Sequence, residues 1–369
     1  MSEPVLSVND LKVHFATDDG LVKAVDGVSY DIGAGRTLGI VGESGSGKSV
    51  SSLTVMGLTR SKMSKISGEI RFGGKDLLTA SDDEMREIRG EEIAMIFQDP
   101  LSSLHPFYRI GDQLVEAVQA HHDVSKAAAL DKAIELLRLV GIPQPKDRVG
   151  GYPHEFSGGM RQRVMIAMAL INEPKVLIAD EPTTALDVTV QAQILELMIR
   201  LKAELHTSIV FITHDLGVVA EMADDIAVMY AGRIVEFGPK ETIFESPQHP
   251  YTWGLLGSIP KLDASRDEQL VPVTGRPPSL IHLPSGCSFH PRCPYVRDAH
   301  KKVEPTLEPV NGDNGHRVAC LLDGSVRQRI WEDLQEGKRP EEARADAMAG
   351  EPDADEVAAG DGAPAEADA

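Results

Sequence analysis

Gly42-Glu43-Ser44-Gly45-Ser46-Gly47-Lys48-Ser49 matches G-x-x-x-x-G-K-[ST] and lies between the apolar run Leu38–Val41 and a helical pattern. That spacing suits phosphate binding: glycines let the backbone approach an anion, and the consecutive N–H groups of residues 44–49 can form a concave nest at a helix N-terminus. Lys48 would reach the β- and γ-phosphates and Ser49 the Mg²⁺, so Gly42 to Val50 is the expected nucleotide-binding segment. A second pair of chemistry-bearing residues, Asp180-Glu181, follows the apolar run Val176–Ala179 and precedes Pro182. Successive strand side chains point to opposite faces, so the two acids divide their roles. One holds Mg²⁺ through water and the other polarises the attacking water. His214 ends the apolar run 208–213 and is expected at the γ-phosphate; Gln98 leaves the run 92–97 and is expected to meet Mg²⁺ and water. Ser157-Gly158-Gly159-Met160 is a glycine turn with Ser157 as N-cap before the apolar helix 164–171, a weak signal taken alone.

These residues need strands that deliver them and helices that space them. Leu6, Val8, Leu11, Val13 and Phe15, then Val25, Val28, Tyr30 and Ile32, predict an antiparallel β region. Phe15 either stacks on adenine or packs in the strand core. A helix opened by Lys48 continues to Gly57, a short strand covers 69–72, and an acidic helix covers 82–89. Pro100 bars simple continuation of the strand over 92–97. From Ile110 to Val140 the pattern is helical, with Leu130, Ile134 and Leu137 in phase and Gly141 as a C-cap, which predicts an inserted helical subdomain over about 100–172. Val190, Ile194, Leu197, Leu201 and Leu205 mark a long amphipathic helix.

The chain has 369 residues and a formal charge of −20. That charge argues against broad phosphate-backbone binding, so no direct nucleic-acid partner is expected. Residues 341–369 hold ten acids and one arginine, hence −9 of the −20. The longest apolar run found beside a motif, 164–171, is far short of the roughly 18–20 residues of a membrane span. The first eleven residues lack a secretory pattern, so a cytoplasmic protein is expected. Three cysteines, all late in the chain, do not suit a disulfide framework and turn attention to a metal or cluster.

Taken together, the order P-loop, Gln98, Ser157-Gly158-Gly159, Asp180-Glu181, Asp187 and His214 closely resembles the nucleotide-binding subunit of an ABC transporter over about residues 5–325. The resemblance implies an α/β P-loop NTPase with a RecA-like core, an antiparallel β subdomain and the inserted helical subdomain. It implies Walker A at 42–49, a Q-loop at Gln98, a signature motif at 156–160 and Walker B at 176–180. Glu181 would be the general base, Ala185-Leu186-Asp187 the D-loop and His214 the switch histidine. Ser49, Gln98 and Asp180 would then attend Mg²⁺. Met160 stands where most cassettes have glutamine.

Three further segments, 96–104, 156–164 and 246–252, are similar to ATPase subunits of oligopeptide and dipeptide importers. In that family His105 is commonly asparagine. This narrower resemblance implies ATP hydrolysis energising uptake of di- or oligopeptides at the cytoplasmic face of the membrane. The partners would be two permease subunits, an extracytoplasmic peptide-binding protein and a second ATPase chain, related but different. By the same resemblance Ser157 to Met160 contact nucleotide on the opposite subunit. Nickel or another small solute is the alternative cargo. A soluble ATPase acting on nucleic acid or ribosomes is the alternative class, but it would call for two cassettes in a chain, a coiled coil or a basic surface.

The expected cassette covers 1–258. Beyond it, Pro260, Pro272, Pro277, Pro278 and Pro284 predict a proline-rich, turn-rich extension to about 330. There Cys287, Cys293, His300 and Cys320 fall where the peptide-importer relatives often have four cysteines, which in some members hold an iron–sulfur cluster. A Cys3His set could carry a 4Fe-4S cluster or zinc. Residues 331–369 are expected to be an acidic tail, disordered from Glu341 onward.

Overall fold

The computed structural model describes residues 3–98, 103–184, 186–259 and 273–348. The chain forms two compact units, Met1–Arg233 and Ile234–Ala369, a division earlier than the boundary near 258 expected from the prolines.

The first unit opens with β1 (Leu6–Thr17), β2 (Gly20–Ile32), β3 (Thr37–Val41), α1 (Lys48–Val55), β4 (Ser64–Phe72), β5 (Lys75–Asp76), α2 (Asp82–Ile88) and β6 (Ile93–Ile96). Helices α3 (Ile110–Gln119), α4 (Lys126–Leu139), α5 (Pro145–Arg148) and α6 (Gly158–Leu170) follow. The unit then alternates through β7 (Val176–Asp180), α7 (Val188–Leu205), β8 (Ser208–Thr213), α8 (Leu216–Met222) and β9 (Asp225–Tyr230).

Strands β9, β3, β8, β7 and β6 lie side by side in that order, all parallel. Every residue of β3, β7 and β8 is buried, which explains their unbroken apolar runs: helices cover both faces of a parallel sheet. Register decides function here. Val41 pairs with Thr213 and Asp180 with Ile212, so the residues after each strand, Gly42, His214 and Glu181, emerge at one edge.

The second sheet is antiparallel in the order β2-β1-β4-β5. The apolar positions of β1 skip from Val8 to Leu11, breaking the period of two, and the register shifts at the same place. Asp10 adopts φ +42° there, and its N–H donates to the Ser29 hydroxyl at 2.9 Å. The extra residue is a β-bulge that returns Leu11 and Val13 to the buried face.

The helical stretch 110–140 is two helices. Ser125 caps α4 by accepting the Ala128 N–H, and Gly141 ends it with φ +79°. Leu114 and Val118 of α3, Ala133 and Leu137 of α4, and Val164 and Ile166 of α6 are all fully or almost fully buried.

The second unit contains β10 (Arg233–Pro239), α9 (Lys240–Glu245), α10 (Pro250–Leu256), α11 (Asp298–Lys302), β11 (Glu308–Val310), β12 (Asp313–Val318), α12 (Gly324–Gln335) and α13 (Pro340–Met348). Strand β12 pairs antiparallel with both β10 and β11. Trp253, Tyr295, Leu322, Val326, Ile330, Ala343 and Ala347 form its core. This corrects the expectation of an acidic tail from residue 331: α12 runs on to Gln335 and α13 covers Pro340–Met348. Composition hid the reason. Ala343 and Ala347, four apart, give α13 a small apolar stripe, while Lys338 bonds Asp333 at 2.6 Å and Asp346 at 3.0 Å. The remaining tail, 349–369, and two of the expected prolines, Pro260 and Pro272, lie outside the described residues.

Candidate functional site

The loop after β3 is shaped by its neighbours. Gly47 precedes α1 with φ +100°, and a Cβ there would sit 2.2 Å from the Ala24 carbonyl oxygen. At Gly42 a Cβ would meet the Met229 carbonyl oxygen, also at 2.2 Å. Only glycine fits either place. A strap holds the loop from outside. The Gly232 N–H donates to the Ser46 carbonyl at 2.9 Å, and the Asp26 N–H donates to the Gly232 carbonyl at 2.8 Å. The buried Asp26 carboxylate in turn bonds Arg233 at 2.7 Å and His14 at 3.0 Å. Burial would push the Asp26 carboxyl up, but Arg233 and His14 outweigh it and hold it below the ordinary range. Sequence spacing could not show this strap, because its parts lie some 200 residues apart.

Lys48 is 5% exposed and donates from Nζ to the carbonyls of Gly42 at 2.7 Å and Glu43 at 3.0 Å. Burial lowers its pKa, while Glu181, Asp180 and Glu43 favour the charge. Ser44 and Gly45 are exposed, Glu43, Ser49 and Val50 half-buried. The Ser46 hydroxyl is buried with no hydrogen-bond partner among the described residues. Phe15 is half-buried on β1, opposite Val22 and Ser64.

The two acids separate as strand geometry requires. Asp180 is 5% exposed and accepts the Ser49 hydroxyl on Oδ1 at 3.0 Å; burial raises its pKa against that bond. A carboxylate and a hydroxyl side by side are hard oxygen donors of the kind Mg²⁺ takes. Glu181 leaves the strand in the left-handed region, φ +48°. Its Oε2 accepts Gln98 Nε2 at 3.0 Å and the Thr184 hydroxyl at 2.9 Å, and Oε1 lies 3.3 Å from His214 Nδ1. Burial would raise the Glu181 carboxyl, but Thr184, His214 and Lys48 outweigh it and hold it below the ordinary carboxylate range. The result is an ionised carboxylate beside the phosphate loop. Gln98 is joined to Glu181, not to the Ser49–Asp180 pair. Thr184 was missed in the sequence; a hydroxyl three residues after a strand-end acid is the signal that could have found it.

Ser157 caps α6 as expected, accepting the Met160 N–H at 3.3 Å. Ser157 and Gly158 are exposed, and a Cβ on Gly158 would face open space, so the first turn of this helix is open to an approaching group. Gly159 and Met160 are half-buried. Asp187 caps α7 by accepting the Val190 N–H at 2.9 Å. Ala185 lies outside the described residues.

The metal set expected in the second unit is not gathered. Among the described residues, no group of three or more His, Cys, Asp or Glu side chains is placed to hold a metal ion. Burial pushes the Cys287 and Cys293 thiols up and Cys320 to about 11, which favours protonated thiols over ligating thiolates. His300 is buried; its Nδ1 accepts the Arg297 N–H at 3.1 Å, and Nε2 has no hydrogen-bond partner among the described residues.

Comparison with known proteins agrees with this geometry. Residues 25–184 match the ABC transporter family, and residues 235–299 match the oligopeptide/dipeptide transporter C-terminal region. The chain is 54% identical over 321 residues to the dipeptide transport ATP-binding protein DppD of Bacillus subtilis, covering 87% of this chain and 95% of that one. It is 50% identical over 307 residues to the oligopeptide transport ATP-binding protein OppD of Escherichia coli, covering 83% and 90%. Among solved structures it resembles the dimeric, ADP- and phosphate-bound ATP-binding cassette MJ0796, with TM-score 0.57, 25% identity and coverage of 64% and 98%. The chain therefore belongs to the ABC transporter family, among the ATP-binding proteins of oligopeptide and dipeptide transport.

Proposed function

We propose that this protein binds and hydrolyses ATP to energise a membrane importer of di- or oligopeptides. The observation that carries it is the meeting, at one sheet edge, of Lys48, the Ser49–Asp180 pair, and Glu181 held by Gln98, Thr184 and His214. The peptide cargo rests on the names of the relatives and on the match of the second unit to the peptide-transporter C-terminal region.

In this reading residues 42–50 cradle the triphosphate, Lys48 neutralises its β- and γ-oxygens, and Phe15 lies beside the base. Ser49 and Asp180 hold Mg²⁺, with Gln98 on the approach; the ion supplies charge neutralisation on the phosphates. Glu181 accepts a proton from the attacking water, its position set by Thr184 and Gln98, and His214 meets the γ-phosphate. Ser157, Gly158, Gly159 and Met160 contact nucleotide on a second ATPase subunit, and Asp187 lies on the path to that subunit. The dimeric solved cassette supports such a pairing, and a different ATPase chain is the proposed partner. Among the described residues no helix is long and apolar enough to cross a membrane, so permease subunits on other chains would carry the path, fed by an extracytoplasmic binding protein.

A metal-bound form of the second unit belongs to the same reading. Its ligands would be Cys287, Cys293, His300 and Cys320, which would have to draw together and ionise. Burial raises the pKa of all three thiols, and the backbone N–H groups of Phe289, Tyr295 and Leu322 oppose it only in part. No step of ATP hydrolysis is routed through it.

Replacing Glu181 with Gln keeps the shape of the side chain and removes its negative charge and basicity. The expected result is retained ATP binding with turnover reduced by roughly 10²–10⁴-fold, the usual contribution of a positioned base. Turnover near wild type would remove Glu181 from its assigned role.

A further inference from the structure

Helix α6 carries the turn Ser157–Met160, exposed at Ser157 and Gly158, at its N-terminus, and its buried face is tied to the segment that carries Glu181. Gln162, 2% exposed, donates from Nε2 to the carbonyl of Pro182, the residue directly after Glu181. Proline has no N–H, and this carbonyl lies in a buried turn, so losing its donor would leave an acceptor stranded. The same turn is fixed on its other side: the Glu181 N–H donates to the Ile212 carbonyl at 2.9 Å, and the Thr184 N–H donates to the Glu181 carbonyl at 3.1 Å.

Two further ties run from α6 to α7. A Cβ on Gly159 would lie 3.1 Å from Val190 Cγ1, so the turn packs directly on the first turn of α7. Arg163 reaches Gln193 of α7 at 3.4 Å and donates to the Val140 carbonyl at 2.7 Å, while Arg200 of α7 donates to the Leu139 carbonyl at 2.7 Å. Both guanidiniums thus face the C-terminal end of α4, where free carbonyls and the helix dipole favour cations. Gly141 leaves the room: a Cβ there would lie 2.9 Å from Arg163 Nη1.

We propose that Gln162 is a positioning residue that couples the Ser157–Met160 turn to Glu181, so that engagement of the second subunit's nucleotide sets the base at this subunit's own nucleotide. A shift of α6 must either break the Gln162–Pro182 bond or carry Pro182 with it, and Glu181 is one peptide bond away. The Arg163–Gln193 bond ties α6 to α7, and the Arg163–Val140 and Arg200–Leu139 bonds anchor both helices to the same end of α4, so that the two move together. The proposal rests on the reading of Ser157–Met160 as a contact to the second subunit's nucleotide.

The test is ATP hydrolysis by the complex co-purified through the full-length chain, comparing Gln162→Met, which keeps length and loses the donor, with Glu181→Gln as reference. The expected result for Gln162→Met is a turnover number about tenfold lower, a KM for ATP within twofold of wild type, and a Hill coefficient for ATP moving towards one, with an unchanged melting temperature. Wild-type turnover and cooperativity overturn the proposal, as does a fall in turnover matched by an equal rise in KM. If Gln162→Met melts substantially lower, the half-exposed Arg200→Ala must show the same split between turnover and KM, and its absence there overturns the coupling. A Glu181→Gln complex that hydrolyses normally would instead refute the assignment of the base, a failure separate from that of the coupling.

Discussion

Replacing Gly47 with Ala, with Gly45→Ala as its companion, separates backbone strain from collision in the phosphate loop. Both glycines have positive φ, +79° at Gly45 and +100° at Gly47. At Gly45 nothing lies within 4 Å of an added Cβ, so alanine there incurs only the left-handed penalty of roughly 1–2 kcal/mol. At Gly47 the Cβ would lie 2.2 Å from the Ala24 carbonyl oxygen and 3.4 Å from the Gly232 Cα. Relief requires a displacement of about 1 Å, the scale at which misplacement of a site costs ~10²-fold in function. Strand β2 cannot yield freely, because Asp26, two residues on, is bonded to Gly232 and Gly232 to Ser46. Strain and collision together are expected to cost roughly 3–5 kcal/mol. At about 2–4 °C per kcal/mol for a unit of this size, Gly47→Ala should melt about 10 °C below wild type and Gly45→Ala only a few degrees below. Calorimetry on the purified chain reads the stability, and titration with a fluorescent ATP analogue reads the site. Affinity should fall by about 10²-fold in Gly47→Ala, since Lys48 and the N–H groups of α1 follow Gly47 directly. Equal melting temperatures for the two variants, with analogue binding within a fewfold of each other, would refute the view that β2 shapes the loop.

Two other outcomes are expected. Because the folded-state pKa of Asp26 lies below its ordinary 3.8, its stabilisation is complete above that value and is lost as pH falls through the folded value. Asp26→Asn should therefore destabilise by roughly 2 kcal/mol near neutrality and by progressively less in acid, with urea titrations across pH as the measurement; a difference independent of pH would refute it. For the metal-bound form proposed for the second unit, whose four residues are not gathered here, the measurement is absorption spectroscopy with iron and zinc analysis on protein purified without oxygen; metal lost on replacing Cys293 with Ser supports that form. Metal-free protein ends that reading.

Much of the site was legible in the residues because its parts are local and chemically marked. A G-x-x-x-x-G-K-[ST] loop between an apolar run and a helix, and acids or a histidine at the ends of apolar runs, announce both the elements and their polar ends. Even the bulge at Asp10 is written in the slip from Val8 to Leu11. Residues 331–348 misled because composition counts acids and cannot see that two alanines four apart suffice to bury one side of a short helix in the core of the second unit.

What the sequence determined by itself was the kind of residue at each place: a glycine-rich loop after a strand, two acids at a strand end, a serine-capped helix. Tertiary structure decided which of these touch. The strap from Asp26 through Gly232 to Ser46, the placing of Gln98 on Glu181, and the bond from Gln162 to Pro182 all join residues distant in the chain. Periodicity specifies which face of an element is buried; only the paired register of β3, β7 and β8 brings Lys48, Glu181 and His214 to the same edge.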